Sequence, residues 1–245
     1  ALRQYDIKLL LAYGTVSQLG FLLMLMSIGT RTAALAGLAM LIAHALFKST
    51  LFLVVGIVDH QGGTRDLRKL SGVGRASPVL AIVAAVAGAS MAGVPPLTGF
   101  VAKESVHVAA LGVATHGERG DLGSTTGWLI EIGIVVGSAL TCAYTARFLW
   151  GTFATKPGLT RTEFAPPSPA FLAAPVLLAA ASIALGFAAS AEETMLAPYA
   201  AAFAAPEHRD HLALWHGFGL PLALSALSIG LGLVLFWQRQ VFSQL

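Results

Sequence analysis

The sequence has little charge, and this excludes an ordinary soluble protein. Only 11% of its 245 residues are charged and 56% are hydrophobic, whereas about a quarter of a soluble domain is charged. Apolar runs of about 20 residues, each long enough to cross the hydrocarbon layer of a bilayer, recur along the chain. Lipid accepts only helices or closed barrels, and the runs lack the alternating pattern of barrel strands. The sequence therefore predicts an all-α, polytopic transmembrane helix bundle.

Residue patterns typical of metal, nucleotide and catalytic sites are also missing. Cys142 is the only cysteine and the 7 histidines are dispersed, so no HExxH or CxxC pattern occurs. The glycines form no phosphate-binding loop. The net charge of +3 is scattered over short loops, which does not suggest a nucleic-acid face. We expect no cofactor, no metal, no nucleic-acid partner and no enzyme of the soluble type.

About seven apolar segments can be marked along the chain. They run roughly over Leu9–Ile28, Ala33–Val58, Pro78–Val94, Leu97–Thr115, Trp128–Phe153, Ala170–Ala189 and Leu212–Trp237. The Pro95-Pro96 pair must break or kink the chain between the third and the fourth segment. A polar stretch from Ala191 to His211 joins the last two. We expect each segment to be a membrane helix, packed closely through its many small residues.

Two loops carry most of the positive charge. The residues are Arg65, Arg68, Lys69 and Arg75 in the first loop, and Arg147, Lys156 and Arg161 around the second. The positive-inside rule would place both loops in the cytoplasm. Three apolar segments separate them, however, and an odd number of crossings puts them on opposite sides. The charges therefore fix the orientation only if one segment is re-entrant.

Lys48 lies near the middle of the second segment, too far from either end to extend its amine to the membrane surface. An ammonium at this depth costs roughly 3 kcal/mol, so such a lysine faces a bundle interior or a hydrated cavity. His44 precedes it by one helical turn on the same face. Because burial disfavours the charged ammonium and histidine titrates near neutrality, the pair could pass a proton. The alternative is a packing lysine that bonds helix carbonyls.

Lys103 follows the Pro95-Pro96 pair in a segment that two glycines also weaken. Broken helices at membrane depth occur where the freed backbone lines a cavity or an ion site. Glu104 is adjacent, and His107 lies one turn further on the lysine's face. A neighbouring carboxylate holds the lysine charged until the carboxylate moves or is neutralised, which is the switch that a coupled pump needs. The alternative is a lysine and a glutamate at the interface of a span that starts late.

Several further positions are ambiguous from their place in the sequence. Lys8, at the lip of the first segment, is either an anchor or a site. Glu131, near the start of the fifth segment, suits a helix N-terminus electrostatically. Tyr144 and Arg147, near the end of that segment, are expected to be interfacial anchors. His216, at the start of the last span, is expected to pack or to contact a partner.

Four stretches of the chain resemble one known family in order and spacing: DIKLLLAYGTVSQLG, LIAHALFKSTLFLVVGIVDH, GTRDLRKLSGVG and SMAGVPPLTGFVAKE. They cover about Asp6 to Arg147 and resemble the antiporter-like subunits shared by respiratory complex I and Mrp-type sodium/proton antiporters. The tail HLALWHGFGLPLALS looks like the large A subunit of the Mrp antiporter rather than a complex I subunit.

This resemblance implies a fold and a set of proton-path residues. Residues 1–153 would hold the second of two inverted five-helix repeats, with a broken helix near Pro95–Lys103, and residues 154–245 would add C-terminal transmembrane helices. The proton path implied by the family's motifs comprises Lys8, Lys48, Lys103 and, as a relay, His44. The accessory candidates, which rest on position alone, are Glu104, His107 and Glu131.

The chain departs from the family pattern in two ways. Leu9 and Gly14 stand where the family often has a basic or small residue and a serine, and the lost hydroxyl would alter hydration near Lys8. The family's first repeat would precede Ala1, and the opening stretch is too polar for a signal peptide. We therefore expect a piece of a longer multi-pass protein of the bacterial inner membrane, which needs its remaining part and small partner subunits.

The leading hypothesis is part of the A subunit of a sodium/proton antiporter, in which protons move along the hydrated lysine row in exchange for sodium or another monovalent cation. A rival hypothesis is a proton-pumping membrane subunit of a complex I-like NADH dehydrogenase, which would make the chain part of a translocase. A rival of another class is a structural membrane subunit that only scaffolds its partners.

Overall fold

The computed structural model describes residues 1–116, 122–203, 211–215 and 217–238. Within these ranges the chain is helical and contains no β-strand. The helices, in chain order, are α1 (Ile7–Ile28), α2 (Arg31–Gly62), α3 (Val73–Ala76), α4 (Pro78–Ala92), α5 (Thr98–Leu111), α6 (Ser124–Phe153), α7 (Pro169–Phe187), α8 (Ala189–Ala200) and α9 (Leu220–Trp237). A π-helical turn, Gly112–His116, continues α5. The predicted all-α fold is confirmed.

Five of the described helices, α1, α2, α6, α7 and α9, are long and apolar enough to cross a membrane. Their outer faces carry large apolar side chains such as Val16, Leu23 and Leu129, which are 70%, 72% and 64% exposed. A water-soluble monomer rarely exposes apolar area on this scale, whereas lipid solvates it. The chain is therefore a multi-pass membrane protein.

The N-termini of the first two helices are set by local sequence. The Asp6 carboxylate accepts hydrogen bonds from the N–H groups of Lys8 and Leu9 and so caps α1. Thr30 caps α2 in the same way. Between them Gly29 has a φ of 72°, a left-handed conformation that glycine adopts without steric cost. The two helices thus form a tight hairpin.

The sequence prediction was wrong about the stretch between the last two spans. Ala191–His211 was expected only to join two spans, but its first part belongs to a further helix, α8 (Ala189–Ala200). Four residues, Ala189, Glu192, Leu196 and Ala200, share the buried face of this helix. The predicted last segment also starts too early, because α9 begins at Leu220.

The two basic loops, residues 63–77 and 154–168, are bonded to each other. The Gly72 N–H donates to the Ala154 carbonyl and the Thr162 N–H to the Ser71 carbonyl, both over 2.9 Å. The loops therefore lie together at one end of the bundle, which we call the basic end. The opposite end is called the far end.

The helices α4 and α5 cross the bundle once between them. α4 starts at the end of the first basic loop, and α6 ends beside the second, so both of these points lie at the basic end. α6 begins at Ser124, about 45 Å from its other end, because its 30 residues rise about 1.5 Å each. The turn after α5 meets this beginning, where the Ser124 hydroxyl donates to the Ala114 carbonyl over 2.5 Å. The third and fourth apolar segments are thus two halves of one crossing. The chain crosses twice between the basic loops, so the conflict over their orientation disappears.

The central helix is α2, which packs against α1, α4, α5, α7 and α8. The C-terminal helices pack on the same body, with α7 against α2 and α9 against α6. At Gly186 of α7, an added Cβ would lie 1.9 Å from the Pro96 carbonyl oxygen. Only glycine allows α7 to approach the break between α4 and α5 this closely.

Candidate functional site

Lys48 lies in the interior of the bundle, midway along α2. Its side chain is buried, with 5% of the residue exposed. The ammonium donates a hydrogen bond to the Leu11 carbonyl of α1 over 3.0 Å. It also lies 5.7 Å from the centre of the Tyr144 ring of α6, within the range of a cation–π contact. Three helices therefore converge on this one charged group.

The missing side chain of Gly14 makes room for this cluster. A Cβ at Gly14 would lie 2.8 Å from the Lys48 ammonium nitrogen and 2.7 Å from the Tyr144 hydroxyl oxygen. An effect of Gly14 was expected near Lys8, whereas the structure shows this glycine next to Lys48. Gly14 is two helical turns inside α1 and adjoins Lys48 instead.

His44 is buried one turn before Lys48, as the spacing predicted. Its ring makes an edge contact with Phe47, with the ring centres 5.3 Å apart. Its Nδ1 atom has no hydrogen-bond partner among the described residues. No hydrogen bond joins His44 directly to Lys48 in the described part of the chain, so a transfer between them needs a side-chain movement or a bridging water.

Lys103 binds the end of the broken helix. α4 ends at Ala92, Gly93 follows with a φ of 84°, and a cis Pro95-Pro96 bond leads into α5. The Lys103 ammonium donates to the Ala92 carbonyl over 2.9 Å. The last carbonyls of a helix lack intrahelical partners and carry partial negative charge, so they favour a cation. The break thus creates the position that Lys103 occupies.

Tyr144 and Met91 fill the space between the two lysines. The Tyr144 hydroxyl points to the Met91 sulfur atom over 3.7 Å. Met91 immediately precedes Ala92, whose carbonyl holds Lys103. Tyr144 was expected to be an interfacial anchor, which is wrong, because it is only 5% exposed and lies inside the bundle. A sequence of similar apolar positions gives no sign of which α6 face turns inward.

The three accessory candidates lie on the far-end side of the break and are all buried. The Glu104 carboxylate accepts a hydrogen bond from the Ser225 hydroxyl of α9 over 2.6 Å. His107 Nδ1 lies 2.5 Å from a carboxylate oxygen of Glu131. His107 Nε2 and the second Glu131 oxygen have no partner among the described residues. Glu131 is two turns inside α6, so it pairs with His107 rather than marking the helix start.

The structure does not bring Lys8 into this cluster. Lys8 is exposed in the first turn of α1, at the basic end. Leu11 and Gly14, which touch Lys48, lie further inside the same helix. His216 lies outside the described residues.

Comparison with known proteins places these features in a family. Residues 1–116 match the family model described as "NADH:quinone oxidoreductase/Mrp antiporter, TM". The chain is 36% identical over 95% of its length to the A/B subunit of a probable K(+)/H(+) antiporter from Rhizobium meliloti (strain 1021), and spans 23% of that protein. It is 32% identical over 96% of its length to the A subunit of a Na(+)/H(+) antiporter from Bacillus subtilis (strain 168), and spans 32% of it.

Two solved structures resemble the fold. The Mrp complex from Dietzia sp. DQ12-45-1b matches 99% of the chain with 38% identity and a TM-score of 0.84, and the match covers 25% of the chain in that complex. Respiratory complex I from Thermus thermophilus with bound NADH matches 82% of the chain with 25% identity and a TM-score of 0.67, over 40% of the matched chain. The chain thus spans a third or less of the length of the curated relatives named above.

Proposed function

We propose that the chain belongs to the antiporter-like membrane family that Mrp antiporters share with NADH:quinone oxidoreductases, and that it carries protons within an Mrp-type A subunit in exchange for a monovalent cation. The observation that carries this proposal is the placement of two ammonium groups inside the bundle, one of them at a helix break. Such groups are costly in a membrane and are typical of ion pathways. The chain is a transporter component rather than a conventional enzyme.

The bonds of the two lysines support a pathway more than a packing role. Each ammonium has three N–H donors, but Lys48 and Lys103 each have one hydrogen-bond acceptor among the described residues. The Leu11 carbonyl that accepts from Lys48 also accepts from the Thr15 hydroxyl. A lysine used only for packing would be expected to satisfy more of its donors. These two are poised to exchange protons with water or with a neighbouring side chain.

The proposed route runs from Lys48 to Lys103 past Tyr144. The Tyr144 hydroxyl can accept a proton from Lys48 while it donates its own, so it bridges the ammonium and the break without holding a charge. The Met91 sulfur is a weak acceptor, so the last step requires the hydroxyl to turn or a water to enter. Tyr144 and Met91 together would control proton transfer between the two lysines.

Beyond Lys103 the route continues along α5 towards the far end. Glu104 follows the lysine in sequence, but its carboxylate is bonded to Ser225. His107 lies one turn further with Glu131 against it. A histidine in contact with a carboxylate can hold a proton between them, and its free Nε2 can release one. A proton that arrives at one site disfavours a proton on the next, and this repulsion would couple the steps.

Similarity favours the antiporter over the dehydrogenase. The Mrp complex matches almost the whole chain, including α7 to α9, with higher identity than complex I does. As part of a multisubunit complex, the chain would have other membrane subunits and lipid as its partners, and protons and sodium or another monovalent cation as its cargo. The division at residue 153 remains a prediction, since α7 to α9 pack directly on the earlier helices.

The test is to replace Lys48 and Lys103 singly by alanine in the intact complex and to measure sodium-dependent proton flux in vesicles. We expect each change to lower the flux about tenfold or more, because it removes a proton carrier. Lys69→Ala, at an exposed lysine of the first basic loop, is the matched control, and Lys8→Ala decides whether Lys8 takes part. Near wild-type flux in both Lys48→Ala and Lys103→Ala would instead support the scaffold hypothesis.

A further inference from the structure

Glu192 is a buried carboxylate that the pathway above does not use. It lies in the first turn of α8, and only 3% of it is exposed. Neither carboxylate oxygen has a hydrogen-bond partner among the described residues. Its neighbour Glu193 differs, because a Glu193 oxygen accepts a hydrogen bond from the Leu212 N–H over 2.9 Å. Two adjacent glutamates therefore have different roles, one as an anchor and one without a partner.

The described residues place no opposite charge within ion-pair distance of Glu192. The helices packed against α8 are α2 and α7. α7 contains no titratable residue, and those of α2 are Arg31, His44, Lys48, Asp59 and His60. None of these is within ion-pair distance of Glu192 in the described part of the chain, and burial is the cause that raises the pKa of Glu192 to about 7. An unpaired buried carboxylate is costly when ionised, so this group favours its neutral form.

The position of α8 connects Glu192 to the lysine row. α7 runs from the basic end, where Phe171 contacts His60 with ring centres 5.6 Å apart. α8 follows α7 and packs against α2. Leu212, which is bonded to Glu193 of α8, lies near Thr32 at the far-end start of α2. The Leu212 held by Glu193 lines a small cleft together with Thr32 of α2 and Ser105 of α5. This cleft lies between the two helices that carry Lys48 and Lys103.

We propose that Glu192 is a proton-binding site outside the lysine pathway, which exchanges protons with the far end of the bundle. The carboxylate takes up a proton to become the neutral acid and releases it near neutral pH. Its use in transport rests on the proposed function, whereas proton binding itself does not.

The first measurement is infrared spectroscopy of the purified complex. A protonated carboxyl group gives a C=O stretching band that an ionised one lacks. We expect a band that is present at about pH 5.5, is lost by about pH 8.5 and is absent from Glu192→Gln. Glu193→Gln, the matched control, should keep it. A spectrum in which Glu192→Gln and the unmodified complex have identical bands at every pH would overturn the proposal.

The second measurement is sodium-dependent proton flux as a function of pH in vesicles. Glu192→Gln should lower the flux severalfold near neutral pH and change the shape of its pH profile, whereas Glu193→Gln should keep the shape. A titrating infrared band with an unchanged flux profile in Glu192→Gln would overturn the exchange role. If the band titrates while both lysine variants transport normally, the proton site stands and the proposed pathway fails.

Discussion

At the scale of single residues, the hydrogen bonds of Lys48 and Lys103 decide how the chain is understood. Each ammonium donates to a backbone carbonyl, as a packing lysine also would. Sequence reasoning left these two roles open, because it cannot count acceptors. The number of unused donors and the ring and hydroxyl of Tyr144 beside Lys48 favour proton transfer.

The first prediction concerns the Tyr144 hydroxyl. Tyr144→Phe keeps the ring against Lys48 but removes the hydroxyl between the lysines. We expect sodium-dependent proton flux to fall about tenfold, with little loss of stability. Tyr13→Phe, which changes an exposed tyrosine of α1, should transport normally. Wild-type flux in Tyr144→Phe would remove the hydroxyl from the route.

Gly14 allows a rescue of that variant. A serine Cβ at this position would lie 2.8 Å from the Lys48 nitrogen and 2.9 Å from the Tyr144 ring carbon that carries the hydroxyl, so both the end of the lysine and the ring must shift to admit it. In the double variant Gly14→Ser, Tyr144→Phe, the serine supplies a hydroxyl at nearly the same place. Partial recovery of flux in the double variant relative to Tyr144→Phe would show that the hydroxyl, not the tyrosine as such, is needed.

At the scale of helices, two lysines bind carbonyls where helices end, one at the α4–α5 break and one between the basic loops. The break between α4 and α5 frees the Ala92 carbonyl for Lys103. A second lysine, Lys156, follows α6 and joins the basic loops. Its ammonium donates to the carbonyls of Leu70 over 2.8 Å, Gly151 over 2.6 Å, and also Leu67. Burial lowers the pKa of Lys156, yet three carbonyls favour its charged form.

The second prediction is that Lys156→Met destabilises the basic end. The change removes three charge-assisted hydrogen bonds and leaves buried carbonyls unpaired, which should cost about 2–4 kcal/mol of stability. The temperature at which the purified complex aggregates, followed by size-exclusion chromatography after heating, measures this loss. Lys69→Met changes an exposed lysine of the first basic loop and should have no comparable effect. Equal aggregation temperatures of the two variants would show that the Lys156 hydrogen bonds do not stabilise the basic end.

At the scale of the whole molecule, the count of crossings fixes the topology. Residues 63–77 and 154–168 are hydrogen-bonded to each other, so they face the same side of the membrane. The positive-inside rule then assigns that side to the cytoplasm. Charge counting alone failed here, because α4 and α5 look like two spans in the sequence although they make one crossing.

The third prediction tests this topology with single cysteines introduced into a Cys142→Ala background. Lys69→Cys and Arg161→Cys should react with a membrane-impermeant maleimide from one side of the membrane. Gly123→Cys, at the exposed start of α6, should react only from the other side. Labelling of Lys69→Cys and Arg161→Cys from opposite sides would refute the single crossing of α4 and α5.

The sequence by itself determined that this is a helical membrane protein that resembles antiporter-like subunits. The apolar content shows that the chain is solvated by lipid. The cost of a charge at mid-bilayer identifies Lys48 from the sequence of its own helix, without knowledge of the neighbouring helices. Lys103 was identified from the helix break that the prolines before it predict. These signals depend only on neighbouring residues in the sequence, so they can be identified without a structure.

Only the tertiary structure decided which distant residues meet. His107 faces Glu131, and the Tyr144 ring lies beside Lys48. Glu192 lies on a helix that the sequence did not predict and has no hydrogen-bond partner among the described residues. In membrane helices most positions are apolar on every side, so periodicity does not reveal which face is turned inward. Close packing between helices selects that face, and the contacts responsible join residues far apart in the chain.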